Sequence, residues 1–268
     1  MKGQAMSFLH NVTCRRCFSL TLAATLVAAP LSAIAGRRAG AADKKLAPVP
    51  GGPTSLRSDM LDAAADTLQV KKPIDAMSAY LNGFHFYADD LGRQVEANHF
   101  CTHLSEGFHQ CVIYEANQKN ARLIGIEYIV SEKIFRTLPE EEKKLWHSHH
   151  YEVKSGMLVA PGVPDMGEHA FMADLVTTYG KTWHTWQIDR DHELPLGIPQ
   201  LMMGFTKDGQ IRQSLLDDRD RRFDISTRSE KENRADIPTP QIVPGANTWQ
   251  GGTTPQLQLV QMPVKNPA

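Results

Sequence analysis

Hydrophobic runs of membrane length are missing from this 268-residue chain, and so is any surplus of one charge. Lys+Arg total 29 against 30 Asp+Glu, for a formal net charge of −1. Without a basic excess the composition gives no support to nucleic-acid binding, and without an acidic excess there is no solvating tail. Aromatics make up only 7% and cysteines number 4. Several catalytic signatures are also absent: a Gly-x-Ser-x-Gly elbow, a phosphate loop, a dinucleotide fingerprint and His-Glu-x-x-His. What remains is an ordinary globular composition, 41% apolar and 22% charged, which excludes collagen, coiled coil and wholesale disorder. Histidine is the exception, with 11 residues.

The first 35 residues contain no Asp or Glu but carry Lys2, Arg15 and Arg16 ahead of an apolar run from Phe18 to Leu31. That run is too short, and too rich in Ala and Thr, for a membrane span of about 20 strongly apolar residues. Ala33-Ile-Ala35 and Ala39-Gly-Ala41 each offer a small-x-small cleavage pattern, so residues 1–35, or 1–41, are expected to be a cleaved signal peptide; an uncleaved anchor is the alternative. Arg15-Arg16-Cys17-Phe18 has the spacing of a twin-arginine export signal. The expected location is therefore exported, periplasmic or extracellular. Cleavage after Ala35 removes three basic groups and no acid, leaving the mature chain at −4 with no transmembrane helix. It also leaves two cysteines, Cys101 and Cys111, as either a disulfide or a pair of buried thiols.

Residues 36–55, rich in Gly, Pro and Ala, read as a linker. Residues 56–225 are the expected domain, and 226–268 a Pro-rich tail lying extended on the surface or disordered. Met60, Ala64 and Leu68 recur with helical spacing, as do Ile74, Met77, Leu81 and Phe84. Gln110–Tyr114 and Arg122–Val130 flank a polar turn and predict an antiparallel hairpin. Thr137-Leu-Pro-Glu140 predicts a capped helix running through Trp146. Residues 151–159 read as a strand, and Asp165 opens a helix that Gly180 ends. Residues 182–189 and 200–206 read as further strands. The prediction is α+β: one domain with a largely antiparallel sheet flanked by helices.

Three histidine clusters stand out: His99-Phe-Cys-Thr-His103, Trp146-His-Ser-His-His-Tyr-Glu152 and Trp183-His-Thr-Trp186. Alternate residues of a strand share a face, so His147 and His149 can ligate one metal. His103 or His184 would be the third ligand of a zinc-like divalent site, with His99 a weaker candidate. On a strand register Glu152 points to the opposite face and is expected to be a structural partner. The competing reading makes the histidines packed, hydrogen-bonded core residues.

Long stretches of this sequence closely resemble the oil body-associated protein family. They are His85-Phe-Tyr-Ala88, Gly92–His103, Ala121–Tyr128, Leu138–His149, Glu152–Gly156 and Pro195–Gly197. The resemblance spans about 74–205, and the export signal marks the chain as a bacterial exported member. It matches the family's motif at His99, His103, His147, His149 and His184 and carries no catalytic assignment. It implies a non-enzymatic binding protein for a lipid surface or hydrophobic ligand. The alternative, from the histidines, is a metal-binding protein or metal-dependent enzyme.

Overall fold

The run Leu81–Tyr87 is apolar at both odd and even positions apart from Asn82, Gly83 and His85, which fits a strand covered on both faces as well as it fits a helix. In the computed structural model, which describes residues 42–265, it is strand β1 (Ala79–Tyr87), buried on both faces. The helix expected through Ile74, Met77, Leu81 and Phe84 is therefore replaced: only the short α2 (Lys72–Asp75) precedes the strand. The predicted export signal lies outside the described residues.

The other strands follow as β2 (Asp90–Ser105), β3 (Phe108–Tyr114), β4 (Leu123–Ser131), β5 (His147–Ser148), β6 (Thr178–His184) and β7 (Gln200–Met203). The order β4-β3-β2-β1-β7-β6-β5, with β4 also paired to β6, closes six strands into a barrel and leaves β5 attached to β6 outside the ring. All pairings are antiparallel. The predicted α+β class holds, and the predicted hairpin is β3–β4; closure removes the sheet's edges.

Helices α3 (Glu132–Phe135), α4 (Glu140–Lys143), α5 (His150–Lys154) and α6 (Asp165–Leu175) fill the stretch from β4 to β6. The strand expected over 151–159 is instead α5 and a loop, with Val159 making an isolated bridge to Asn82. The capped helix expected to reach Trp146 is one turn. Thr137 does not cap it, because its hydroxyl bonds to the Ile134 carbonyl. Gly180 lies inside β6 rather than ending α6.

The inward faces stack in layers. Leu81, the Cys101–Cys111 pair, Ile129, Leu158 and Leu175 form one apolar layer. Tyr87, Val95 and Met202, with Ala97, Ile113 and Ile124, form the other. The two cysteines lie opposite each other in β2 and β3 with Cα atoms 4.1 Å apart, within reach of a disulfide.

The stretch beyond 225, expected as an extended or disordered tail, is packed in part. Residues 257–265 are exposed and without regular structure, as expected, but the preceding segment is held against the barrel. After α7 (Gln213–Phe223) and α8 (Thr227–Asn233) the chain has little regular structure, in keeping with its prolines. Even so, Ile237 and Val243 are buried, and Trp249 packs edge-on against Phe86 at 4.8 Å. Charge anchors it. Arg219 and Arg234 are fully buried. Arg219 donates to Asn82 Oδ1 and the Met157 carbonyl, and Arg234 to the carbonyls of Val153 and Leu158 and to the Glu168 carboxylate. A dense run of mixed charge conceals these two residues, because nothing in composition marks which arginines point inward.

Helix α1 (Leu56–Leu68) forms as predicted, capped by Ser55, whose side chain accepts from the Ser58 N–H at 3.2 Å. It buries nothing: its large apolar residues range from 60% (Leu61) to 80% (Leu68) exposed.

Truncating Arg234 to Ala leaves the Glu168 carboxylate and two carbonyls buried without a partner. The expected destabilisation is about 3–5 kcal/mol, against less than about 0.5 kcal/mol for Met60→Ser on the exposed helix. Urea unfolding of both variants checks the contrast; equal losses would contradict this anchoring.

Candidate metal centre

Between the two apolar layers lies a polar one. Glu127 is the only charged residue within the β4 run Leu123–Val130. It shares strand parity with Gly125 and Ile129, so its side chain enters the barrel. His85 from β1 and His99 from β2 enter at the same level, as does His184 from β6. His147 and His149 come in from β5 and its C-terminal end, and Glu152 from α5. All seven are at least 95% buried.

Glu127 is the hub. Its Oε2 lies 2.8 Å from His99 Nε2 and 3.6 Å from His85 Nε2. Its Oε1 lies 3.1 Å from His149 Nε2 and 3.6 Å from His147 Nε2. Glu152 Oε2 stands 3.9 Å from His147 Nε2. Two glycines make the space. A Cβ on Gly180 would sit 2.0 Å from Glu127 Oε1 and 2.9 Å from His149 Nε2. One on Gly204 would sit 2.7 Å from Glu152 Oε2. Gly180, read in the sequence as a helix stop, is thus required by close approach.

The outer ring nitrogens are held from behind. His85 Nδ1 lies 3.3 Å from His184 Nε2, and His149 Nδ1 lies 2.8 Å from Thr178 Oγ1. The Thr178 hydroxyl has one proton, and the Leu175 carbonyl at 2.7 Å takes it. Thr178 Oγ1 therefore accepts from His149 Nδ1–H, and in a neutral His149 the bare Nε2 faces a carboxylate oxygen. Two acceptors 3.1 Å apart need a positive charge between them or on the ring.

Several other atoms here lack hydrogen-bond partners: both ring nitrogens of His147, His99 Nδ1, His184 Nδ1, Glu152 Oε2 and Thr182 Oγ1. Each such buried polar atom costs about 1–3 kcal/mol if left alone. Beside them His85, His99, Glu127, His149, Glu152 and flanking leucines wall a cavity with a volume of about 10 Å³. That is room for roughly one water-sized sphere. A cavity of that volume has no room for a lipid.

The electrostatics separate the groups. Burial, against the attraction of Glu127, drives His85 well below the ordinary imidazole range and His147 to about 3. Burial and the charge of His99 take His184 to about 3. Burial pushes Glu152 well above the usual carboxylate range, with the Glu127 charge adding to it. Burial would also raise Glu127, but the contacts from His149 and His99 and the charges of His99 and His85 outweigh it and hold its carboxyl low. Neutral His85, His147 and His184 beside an ionised Glu127 are the protonation states in which such groups ligate a metal.

Of the residues named from the sequence, the structure brings His99, His147, His149 and His184 together. His103 lies apart, exposed and stacked on His109. Glu152, placed on the opposite face by a strand register, turns into the centre because the chain enters α5 after His149. His85 and Glu127 were missed. The available signal was a single imidazole and a single carboxylate, each inside an otherwise apolar strand.

Comparison with known proteins places this chain in a family. The profile of a family described as "Protein of unknown function (DUF1264)" matches residues 71–238. The chain is 47% identical over 222 residues to oil body-associated protein 1A of Zea mays, covering 82% of this chain and 93% of that one. It is 47% identical over 219 residues to oil body-associated protein 1B of Arabidopsis thaliana, covering 81% and 90%. To oil body-associated protein 2C of Arabidopsis thaliana it is 39% identical over 204 residues, covering 75% and 86%. No solved structure matches.

In metal-free protein, three imidazoles held low take up protons on unfolding as pH falls below about 6.5, so acid destabilises the fold. Glu152, held high, acts with the opposite sign above about 4.5. His109 and His150, also held low by burial, add to the imidazole side, so stability should rise between pH 4.5 and 6.5. Urea midpoints across that range measure the slope; a flat or falling profile would contradict neutral buried histidines.

Proposed function

The chain belongs to the oil body-associated protein family, and on that premise we propose that it is a metal-binding barrel protein, with one divalent cation held among Glu127, His85, His99, His147 and His149. The observation that carries the reading is the bare Nε2 of His149 aimed at the Glu127 carboxylate 3.1 Å away, in a cavity of single-ion size. Ligands about 2.0–2.1 Å from a tetrahedral zinc stand about 3.3 Å apart; ligand atoms of His85, Glu127 and His147 lie within 4.8 Å of one another, as do those of His147, His149 and Glu152. His184 behind His85, and Thr178 behind His149, would fix ring orientation as outer-shell partners do. Imidazoles with a carboxylate suit zinc and its borderline transition-metal neighbours. Such an ion supplies positive charge and Lewis acidity.

Elemental analysis of full-length protein purified without a histidine tag tests this. About one equivalent of a transition metal is expected, falling to background in the His147→Ala, His149→Ala double variant. A trace content that the double variant leaves unchanged would refute it.

A second reading concerns where the protein acts. The relatives' names place them at oil bodies, and α1 offers an apolar arc of Leu56, Met60, Leu61, Ala64 and Leu68 that covers no part of the barrel. We infer that this helix lies on a lipid surface. Asp59, Asp62 and Asp66 on its other side argue for a neutral surface over an anionic one. Cys101–Cys111, two cysteines within bonding reach in the barrel wall, supports export to an oxidising compartment by the twin-arginine signal. Flotation with phosphatidylcholine vesicles should carry wild-type protein upward and leave Met60→Glu, Leu61→Glu in the dense fraction. Wild-type protein that stays dense would rule the inference out.

A further inference from the structure

Helices and the C-terminal segment cover much of the barrel's outer wall. Leu216 of α7 and Trp249 pack on the outward side chains of β1 and β7, and Phe135 of α3 covers Val130 at the end of β4. One sector is bare. Tyr80, Phe100, Val112 and Ile126 stand in register across β1, β2, β3 and β4, a row of three strand spacings or about 14 Å. Tyr80 stacks on Phe100 at 5.1 Å, and Tyr114 meets Phe100 edge-on at 5.7 Å. Tyr128, two residues on from Ile126, shares its face. Ile126 and Tyr128 are each 37% exposed. Thr102 and Gln110, the other outward positions of this stretch, are uncharged. Lys181, opposite Tyr128 at the margin, is paired with Glu142.

The bare sector adjoins the segment that carries α1. The chain leaving α1 and α2 reaches this face at Met77, which with Gln110, Val112, Ile126 and Tyr128 lines a depression of about 190 Å³. Ser78 then donates to the Cys101 carbonyl, and β1 begins. Only residues 69–76 separate the end of α1 from Met77. The arc of α1 and this face are therefore two uncovered apolar surfaces on one short length of chain. An exposed apolar patch of this kind marks a contact with another body. The chemistry of this one fits lipid. Its centre is aliphatic and aromatic, and its tyrosines can bury their rings while the hydroxyls stay wet. Without charge it has nothing to select a charged protein partner or an anionic headgroup, and it matches the neutral surface inferred for α1 from its aspartates.

We propose that the row Tyr80–Phe100–Val112–Ile126, with Tyr128 and Met77, is a second lipid-contact surface that rests on the same neutral lipid layer as α1. The proposal rests on the lipid reading of α1 above and extends it from a helix to the barrel wall. Two contacts joined by a short linker act together: once α1 is adsorbed, the face meets lipid at a high effective concentration. Neither contact has to bind tightly alone. The pairing also orients the barrel, with its β2–β4 wall toward lipid and the α7 side toward water.

Flotation of full-length protein with phosphatidylcholine vesicles tests this on wild type, on Ile126→Glu with Tyr128→Glu, and on Gln110→Leu. The face variant should partition at least about tenfold less than wild type, with an unchanged urea midpoint because both positions are exposed. Gln110→Leu, which makes the depression more apolar, should partition more than wild type; no gain overturns the proposal even where the charged pair disturbs the fold. A face variant that floats as well as wild type overturns the face and leaves α1 as the contact. One that floats better also overturns it, because α1 would then have been packed on the face. If Met60→Glu, Leu61→Glu floats like wild type while the face variant stays dense, the α1 reading falls and the face stands. Light scattering without vesicles gives the last outcome: a dimer that the face variant breaks makes this an interface between copies and overturns the lipid contact.

Discussion

An ionised carboxylate inside a closed barrel is the constraint on which the rest of this structure turns. Moving such a charge from water to the interior costs many kcal/mol unless it is paired and hydrogen-bonded. Four imidazole nitrogens lie within 3.6 Å of Glu127. The glycine at 180 exists to let that carboxylate and His149 approach the backbone of β6. Gly204 does the same for Glu152. The layers above and below are apolar, so little of the polar layer meets bulk water. Once Glu127 is charged, the imidazoles around it are the sole sources of compensation, and burial works against their protonation. The cluster is held between two demands that it cannot meet with its own atoms.

Much of the fold was legible because alternation and turn chemistry carry it. The β3–β4 hairpin, α1, the start of α6 and the α+β class follow from local pattern. The failures share one cause. β1 is covered on both faces, and its continuous apolar run mimics a helix. The stretch after His149 is too short to show any period, so residues of α5 read as strand. Gly180 satisfies the local rule for a helix end, while its real reason is a carboxylate from a strand more than fifty residues earlier in the chain. The candidate site divides the same way. His147 and His149 are visible as a spaced pair, but Glu127 and His85 become ligand candidates only when barrel closure brings β1 and β4 to one interior. The exposure of His103 depends on where β2 leaves the barrel, which its sequence does not encode.

The charged segment after residue 212 shows a related limit. Arg219 and Arg234 act as internal posts, each capping backbone carbonyls of the loop between α5 and α6. That loop covers the centre from outside: Leu158 lies in the apolar layer against the cavity, and Glu152 stands at its start. Mixed charge normally reads as a solvated face. Here two of those arginines fasten the C-terminal third of the chain over the site, so its burial depends on residues well beyond the barrel itself.

Closure of the barrel also bears on what an ion there would do. The seam on the β7 side is thin. β7 joins β1 through two residue pairs and β6 through three, and β5 holds on through two. The proposed ligands come from β1, β2, β4 and the β5 region, with β6 behind them through His184. One cation would therefore join elements that the hydrogen-bond ladder connects weakly, and its binding free energy would add to folding free energy. Catalytic metal sites keep a position open for water or substrate, whereas structural ones are closed. A cavity of about 10 Å³ with no room for an organic substrate belongs with the closed kind. The proposed ion would thus complete the barrel.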